Sequence, residues 1–148
     1  LFKTTSNIIY MNIRKINYYD YKIYKQINNT NITVDYFNNF INNILNKYHN
    51  IYVLEKQNII IGFGTLILEN KLTHNGCKMG HIENIIIDEN HRNKGFGNIL
   101  IKELIDICKK EKCYKIILNC DSNLEKFYKK NNFINNKLSM ELLIKENF

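Results

Sequence analysis

The stretch Gly80-His81-Ile82-Glu83-Asn84-Ile85-Ile86-Ile87-Asp88-Glu89-Asn90-His91-Arg92-Asn93-Lys94-Gly95-Phe96-Gly97, running on into Asn98-Ile99-Leu100-Ile101, decides how this chain folds. Ile82, Ile85, Ile86 and Ile87 make an apolar, β-branched run that suits a buried strand. Polar residues follow, then two glycines, then apolar residues at helical spacing, so the stretch reads strand, loop, helix. Glycine at 95 and 97 removes Cβ where the chain enters the helix, and successive backbone N–H groups can converge on an anion at the helix N-terminus. A phosphate or pyrophosphate is the natural guest. Gly-x-Gly after a strand also serves plain βα turns, but Arg92 and Lys94 place two cations beside the same amides and sharpen the reading towards an anion.

Working outward from it, Ile51 to Lys56 and Ile59 to Leu68 flank Gln57-Asn58, which predicts a tight hairpin. Gly62 and Gly64 inside its second strand predict a bend or a group passing close to the backbone. After the polar turn Glu69 to Gly76, the strand Cys77 to Ile87 completes an antiparallel meander. Towards the N-terminus, Ile8 to Ile16 suits a strand and Tyr18 to Gln26 a short helix. Thr33 suits the N-cap of another helix, in which Phe37, Ile41, Ile44, Leu45 and Tyr48 recur at helical spacing. Beyond Gly95, Phe96, Ile99, Leu100, Leu104, Ile107 and Cys108 mark the core face of a helix ending near Lys112. Tyr114 to Cys120 reads as a strand, Asp121-Ser122-Asn123 as a turn and cap, Phe127 to Lys130 as a short helix, and Leu138 to Ile144 as a last strand. The order β-α-α-β-β-β-α-β-α-β predicts an α/β fold: a mixed, mainly antiparallel sheet with helices on both faces.

The 148 residues contain no proline and no Gly/Ser-rich linker, so residues 1–148 are expected to form a single domain. A net charge of +7 favours acidic partners, but only Arg14 and Arg92 are arginine and the lysines are scattered, which argues against nucleic acid and for a small phosphorylated molecule. The basic group Lys109, Lys110, Lys112 and Lys115 reads as a solvated, dipole-favoured helix end. Cys77, Cys108, Cys113 and Cys120 have no metal-ligand spacing and read as reduced thiols, with no metal expected. No apolar run reaches membrane-span length and no signal-peptide pattern is visible, so no membrane partner and a cytoplasmic location are expected.

Arg92-Asn93-Lys94-Gly95-Phe96-Gly97 after a strand resembles the signature of the GCN5-related N-acetyltransferase superfamily. The resemblance implies acetyl-CoA as co-substrate, its pyrophosphate held by the loop from Arg92 through Asn93, Lys94, Gly95, Phe96 and Gly97 to Asn98. It also implies that the backbone of Ile85, Ile86 and Ile87 holds the pantetheine arm. A narrower resemblance rests on Glu69-Asn70-Lys71-Leu72-Thr73-His74, Gly80-His81-Ile82-Glu83 and Cys113 to Asp121 with Phe127-Tyr128, which look like the glucosamine 6-phosphate N-acetyltransferases. That implies direct acetyl transfer to the sugar 2-amine in a ternary complex, a step of UDP-N-acetylglucosamine synthesis, by a homodimer whose interface lies near the C-terminal strand and the Glu69 to Gly76 hairpin.

By the same resemblance Tyr128 stands near the coenzyme sulfur, Glu83 and Asp121 are the carboxylates of the reaction, and Lys71 and His74 bind the sugar phosphate. Asn84, Ile116 and Ile117 complete the acceptor side. Plain readings stand beside these: Tyr128 as an amphipathic core tyrosine, Asp121 as a helix cap, Lys71 and His74 as a solvated hairpin tip. The chain departs from the pattern at Asn84 and Asn119, where the family often has Asp, at Leu124, where it has Asn, and near Leu143, where it has a phosphate-binding Arg. The missing cation would then come from Lys71, His74, Lys145 or elsewhere. Asn28, Asn29 and Thr30 occupy the region of a substrate-binding threonine. The rival readings are a protein or peptide N-acetyltransferase with the same cofactor, and a basic non-catalytic binding module. The Lys71, His74 and Glu83 constellation opposes the first, and scarce arginine opposes the second.

Overall fold

The longest β-branched runs form the longest strands. A computed structural model describes residues 2–4, 7–142 and 144, and divides them between two compact units, Leu1–Leu118 and Asn119–Phe148. In the first unit β1 (Phe2–Thr4) and β2 (Asn7–Ile9) form a separate hairpin. The main sheet holds β3 (Met11–Lys15), β4 (His49–Lys56), β5 (Ile59–Asn70), β6 (Lys78–Ile87) and β7 (Cys113–Ile117) in that spatial order. β3 to β6 run antiparallel to their neighbours, and β7 joins β6 in parallel. The strand expected over Ile8 to Ile16 is broken at Tyr10, whose carbonyl accepts the Gln57 amide at 2.9 Å. Gln57 (φ 50°) and Asn58 (φ 65°) turn the β4–β5 hairpin in two residues, a geometry that matches the strand twist.

Two short helices follow β3. A single 3-10 turn, Tyr18–Asp20, capped by Asn17, leads into α1 (Tyr21–Asn28), which Asn29 ends at φ 48°. α2 (Val34–Asn43) begins at Thr33, whose Oγ1 accepts the Tyr36 amide at 3.2 Å. It stops before Leu45 and Tyr48, because the Asn46 side chain accepts the amides of Tyr48 and His49 and so offers the backbone a turn instead. α3 (Phe96–Lys110) connects β6 to β7.

Each face of the sheet buries its own cluster. Ile16, Phe37, Ile51, Val53 and Phe63 pack with residues of α1 and α2, whereas Leu54, Ile61, Phe96 and Leu100 pack on the α3 side. The close approach expected at the β5 glycines is present. A Cβ on Gly62 would stand 2.7 Å from the Ile86 carbonyl, and one on Gly64 would stand 2.7 Å from Ile85 Cδ1 and 3.2 Å from Leu100. Arg14 of β3 clasps the start of α1. It donates to both carboxylate oxygens of Asp20 (2.7 and 2.8 Å) and to Glu55 (2.8 Å). Asp20 is 3% exposed, and its hydrogen bond pushes the Arg14 guanidinium pKa above the ordinary value despite partial burial.

In the second unit a 3-10 turn, Ser122–Leu124, leads into α4 (Glu125–Lys129). The strand expected over Leu138 to Ile144 is not formed among the described residues there. Leu138, Met140, Leu142 and Ile144 are all at least 84% exposed, so the alternation that predicts a strand is real but meets no neighbouring ladder.

Candidate active site

β6 is the strand on which the site is built. It pairs with β7 only over Lys78 to His81, so from Ile82 to Ile87 it has a strand partner on the β5 side alone. β7 ends at Ile117, short of the Cys120 expected, where its ladder with β6 stops. On the β5 side, Phe63 pairs with Ile86 and Thr65 with Glu83, so Asn84 and Ile85 stand opposite Gly64 alone. This is a β-bulge, and Asn84 takes φ 51° within it. The bulge reverses the alternation: Ile82 is buried, Asn84 is exposed, and Ile85 and Ile87 pack with the α3 cluster while Ile86 packs with the other. The side chains of Ile85, Ile86 and Ile87 therefore serve the core, and their backbone faces the gap.

The chain leaves β6 through the turn Glu89–His91 and enters α3 at Gly95, the N-cap, with φ 84°. No side chain caps α3 and no acidic residue lies in its first turn. Its leading amides are presented as a positive helix end that suits an anion. Arg92 Nε donates to the Ile87 carbonyl at 3.0 Å, Lys94 Nζ donates to the Asn90 carbonyl at 2.8 Å, and His91 Nδ1 lies 2.6 Å from Asp88. Asn93 adopts φ 60°, and the Asn98 amide donates to the Gly95 carbonyl at 3.1 Å. Phe96 is buried, so any contribution it makes to an anion comes from its backbone. The residues fit the pyrophosphate of a coenzyme: amides, two cations and no nearby carboxylate in the helix turn.

On the other face a cavity of about 290 Å³ opens between α1, α2 and the sheet. Tyr24, Asn28, Thr30, Phe37 and Phe40 line it, and Asn84 carries it to the bulge. Every lining residue is uncharged. Burial pushes the Tyr24 hydroxyl pKa up, so it stays a neutral donor and acceptor. Helical spacing marks Phe37 and Ile41 as core in the sequence, but nothing there shows that their layer stops short of the sheet and leaves a cavity. Asn28, Thr30 and Asn84 were indicated, through the resemblance.

Lys71 and His74 lie beyond the far end of β5. The Lys71 ammonium pairs with Glu69, whose other oxygen meets His81 Nε2 at 2.9 Å. Lys71 first, then His81, holds the Glu69 carboxyl below its usual range. His74 stacks on Tyr114 of β7, centroids 4.3 Å apart. His81, paired with Ile117 across the β6–β7 ladder, is a member of this cluster that sequence reasoning did not single out. Glu83 sits on β6 opposite Thr65, and Ile116 pairs with Gly80.

In the second unit, Asp121 occupies the cap position but makes no capping bond through its side chain, so the helix does not account for the exposed carboxylate. Tyr128 is 8% exposed, its ring edge-on to Phe127 (4.9 Å) and Phe133 (5.9 Å). Lys145 and Leu143 lie outside the described residues. Among the described residues, no group of three or more His, Cys, Asp or Glu is placed to hold a metal ion, and no helix is long and apolar enough to cross a membrane.

The sequence profile of the acetyltransferase (GNAT) family matches residues 15–133, from β3 past α4. The chain belongs to the GNAT acetyltransferase family. Within that family it is 39% identical over 89 residues to glucosamine 6-phosphate N-acetyltransferase 1 of Dictyostelium discoideum, covering 60% of this chain and 57% of that protein. It is 35% identical over 94 residues to the Arabidopsis thaliana glucosamine 6-phosphate N-acetyltransferase, covering 62% of this chain and 63% of the relative. The matches thus span between half and two thirds of the length of these relatives. The crystal structure of glucosamine-6-phosphate N-acetyltransferase from Arabidopsis thaliana superposes with a TM-score of 0.85 at 27% identity, covering 92% of this chain and 99% of that one. The sheet with its one parallel pair and flanking helices is thus the GNAT fold.

Proposed function

We propose that residues 1–148 form one N-acetyltransferase domain that transfers the acetyl group of acetyl-CoA to the 2-amine of glucosamine 6-phosphate. The products are N-acetylglucosamine 6-phosphate and CoA, and the step feeds UDP-N-acetylglucosamine synthesis. The observation that carries this reading is the open edge of β6 running from the bulge at Asn84 to the uncapped start of α3, in a chain similar to enzymes of that name.

Bound acetyl-CoA supplies an activated acyl thioester. The protein's own groups do the rest. The amides that follow Gly95, with Arg92, would hold the pyrophosphate, and the backbone of Ile85 to Ile87, which has no strand partner on the β7 side, would pair with the amides of the pantetheine arm. A backbone N–H at the bulge donates to the reacting carbonyl oxygen. Glu83 would steer the ammonium form of the amine and a sugar hydroxyl, and the resemblance gives Asp121 the same kind of role. A sugar 2-amine is less basic than a lysine side chain, so a neutral fraction exists near neutral pH without a strongly perturbed base. Direct attack then needs only that both substrates be held in line: the C–N bond forms and the C–S bond breaks, and by the resemblance Tyr128 would give its hydroxyl proton to the departing sulfur and be reprotonated by the proton that the acylated nitrogen loses.

The uncharged cavity beside Asn84 suits the sugar ring, with Asn28 and Thr30 for its hydroxyls. The resemblance assigns the phosphate to Lys71 and His74, which lie past the other end of β5 from the bulge, with Lys71 paired to Glu69. A homodimer in the cytoplasm, with no metal, completes the proposal. The test is CoA release with a panel of glucosamine 6-phosphate, glucosamine, other sugar phosphates and peptides. Glucosamine 6-phosphate should lead on kcat/KM, and removal of its phosphate should lower kcat as well as raise KM, since remote binding energy holds the amine in line. Equal kcat/KM for the two sugars, or a faster peptide, would transfer the assignment to the protein-acetylating branch of the family.

A further inference from the structure

The two cations of the glycine loop are partly committed to the loop itself, Arg92 to the Ile87 carbonyl and Lys94 to the Asn90 carbonyl. Coenzyme A brings about four negative charges, two on the pyrophosphate and up to about two on the ribose phosphate. The loop therefore presents fewer cations than its proposed guest has charges.

A third cation arrives from a different element. Lys56 ends β4, and its ammonium lies 5.4 Å from the ring centroid of Phe96, the first residue of α3. The hairpin that carries it is held in place: Lys56 pairs with Met11 and with Ile59, and the next amide, Gln57, donates to Tyr10. The loop is tied to the same hairpin, since the Asp88 amide donates to the Ile61 carbonyl at 2.8 Å. His91 faces Phe96 as well, 6.1 Å between centroids, so one buried ring locates both groups. Among the described residues no carboxylate forms an ion pair with Lys56. An ammonium without an ion-pair partner, against the side chain of the first residue of an uncapped helix, has the sign that an anion at that helix end requires.

We propose that Lys56 is a phosphate-binding residue for the coenzyme, outside the glycine motif and supplied by the β4–β5 hairpin. The inference rests on the reading of the loop as a coenzyme site. Its test is calorimetric binding at low salt, with the wild type and Lys56→Met, of CoA, 3′-dephospho-CoA and pantetheine. Lys56→Met should weaken CoA binding by about five-fold, an effect that shrinks with added salt as expected for a partly exposed charge. Pantetheine, which has no phosphate, should bind both proteins alike. If the loss disappears with 3′-dephospho-CoA, Lys56 serves the ribose phosphate; if it persists, Lys56 serves the pyrophosphate. Lys56→Arg keeps the charge and should retain CoA affinity. Wild-type CoA affinity in Lys56→Met, or an equal loss for pantetheine, overturns the inference while leaving the loop reading intact. No CoA binding by the wild type overturns both.

Discussion

Replacing Gly95 by Ala separates the fold from the coenzyme site in one experiment. Gly95 caps α3 at φ 84°, ψ −1°, and a Cβ built there meets no atom within 4 Å. The cost to folding is therefore conformational and not steric. A left-handed alanine is unfavourable by about 1–2 kcal/mol, and the lost chain freedom of glycine in the unfolded state returns about 0.4–1 kcal/mol, leaving roughly 1 kcal/mol net. For a chain of this length that lowers Tm by about 2–4 °C. Gly76, at φ 74° in the turn before β6 and equally open, is the matched control: Gly76→Ala should show the same fall in Tm. Only Gly95→Ala should also weaken CoA, by about ten-fold or more, equivalent to about 1.4 kcal/mol, because the amides after residue 95 must converge on one anion. Differential scanning calorimetry and titration calorimetry on both variants check this. Equal Tm losses with unchanged CoA affinity in Gly95→Ala would refute the loop as the phosphate site. An unchanged Tm would refute the strain argument itself.

Asp20→Asn leaves Arg14 facing a neutral partner at a site where the carboxylate is almost fully buried, and should lower unfolding stability by about 2–3 kcal/mol in urea titrations. Burial pushes the Cys108 thiol up to about 12, with neighbouring Cys113 adding to the shift. The folded state therefore favours the protonated thiol. Its contribution is intact below the unfolded thiol's range near pH 9, and stability falls as pH rises from there towards about 12, in part through Tyr24 and Tyr52, whose pKa values burial also raises. Iodoacetamide followed by mass spectrometry should accordingly label exposed Cys120 well before Cys108. Tyr128→Phe keeps the ring packing against Phe127 and Phe133 and should lower kcat by about ten-fold or more with little change in CoA affinity; unchanged kcat where chemistry limits the rate would leave Tyr128 a core residue.

Local chemistry was the legible part of the chain. The Gln57-Asn58 turn, the Thr33 cap, the core face of α3 and the entry of the chain into that helix at Gly95 each follow from a few neighbouring residues. What stayed hidden needs partners far apart in sequence. Arg14, Asp20 and Glu55 form their cluster only once β3 has paired with β4. The bulge at Asn84 is set by how β5 and β6 align, and Asn84 taking φ 51° is visible beforehand only as a residue type that tolerates that region. The β6–β7 ladder stops at His81, where the proposed coenzyme gap begins, yet the apolar run from Tyr114 continues past it. At Leu138 to Ile144 periodicity predicts a strand that no described neighbour receives, since pattern specifies a face and not a partner.

The two walls of the proposed site are anchored unequally. α3 buries Phe96, Leu100, Ile101, Leu104 and Cys108, whereas α2 buries Phe37 alone and α1 buries no residue fully. Most substitutions on α1 and α2 therefore remove little buried surface and leave the chain above the stability it needs, while most on the inner face of α3 do not. The acceptor wall at Asn28 and Tyr36 can therefore change with little loss of folding stability, and the inner face of α3 on the coenzyme side cannot.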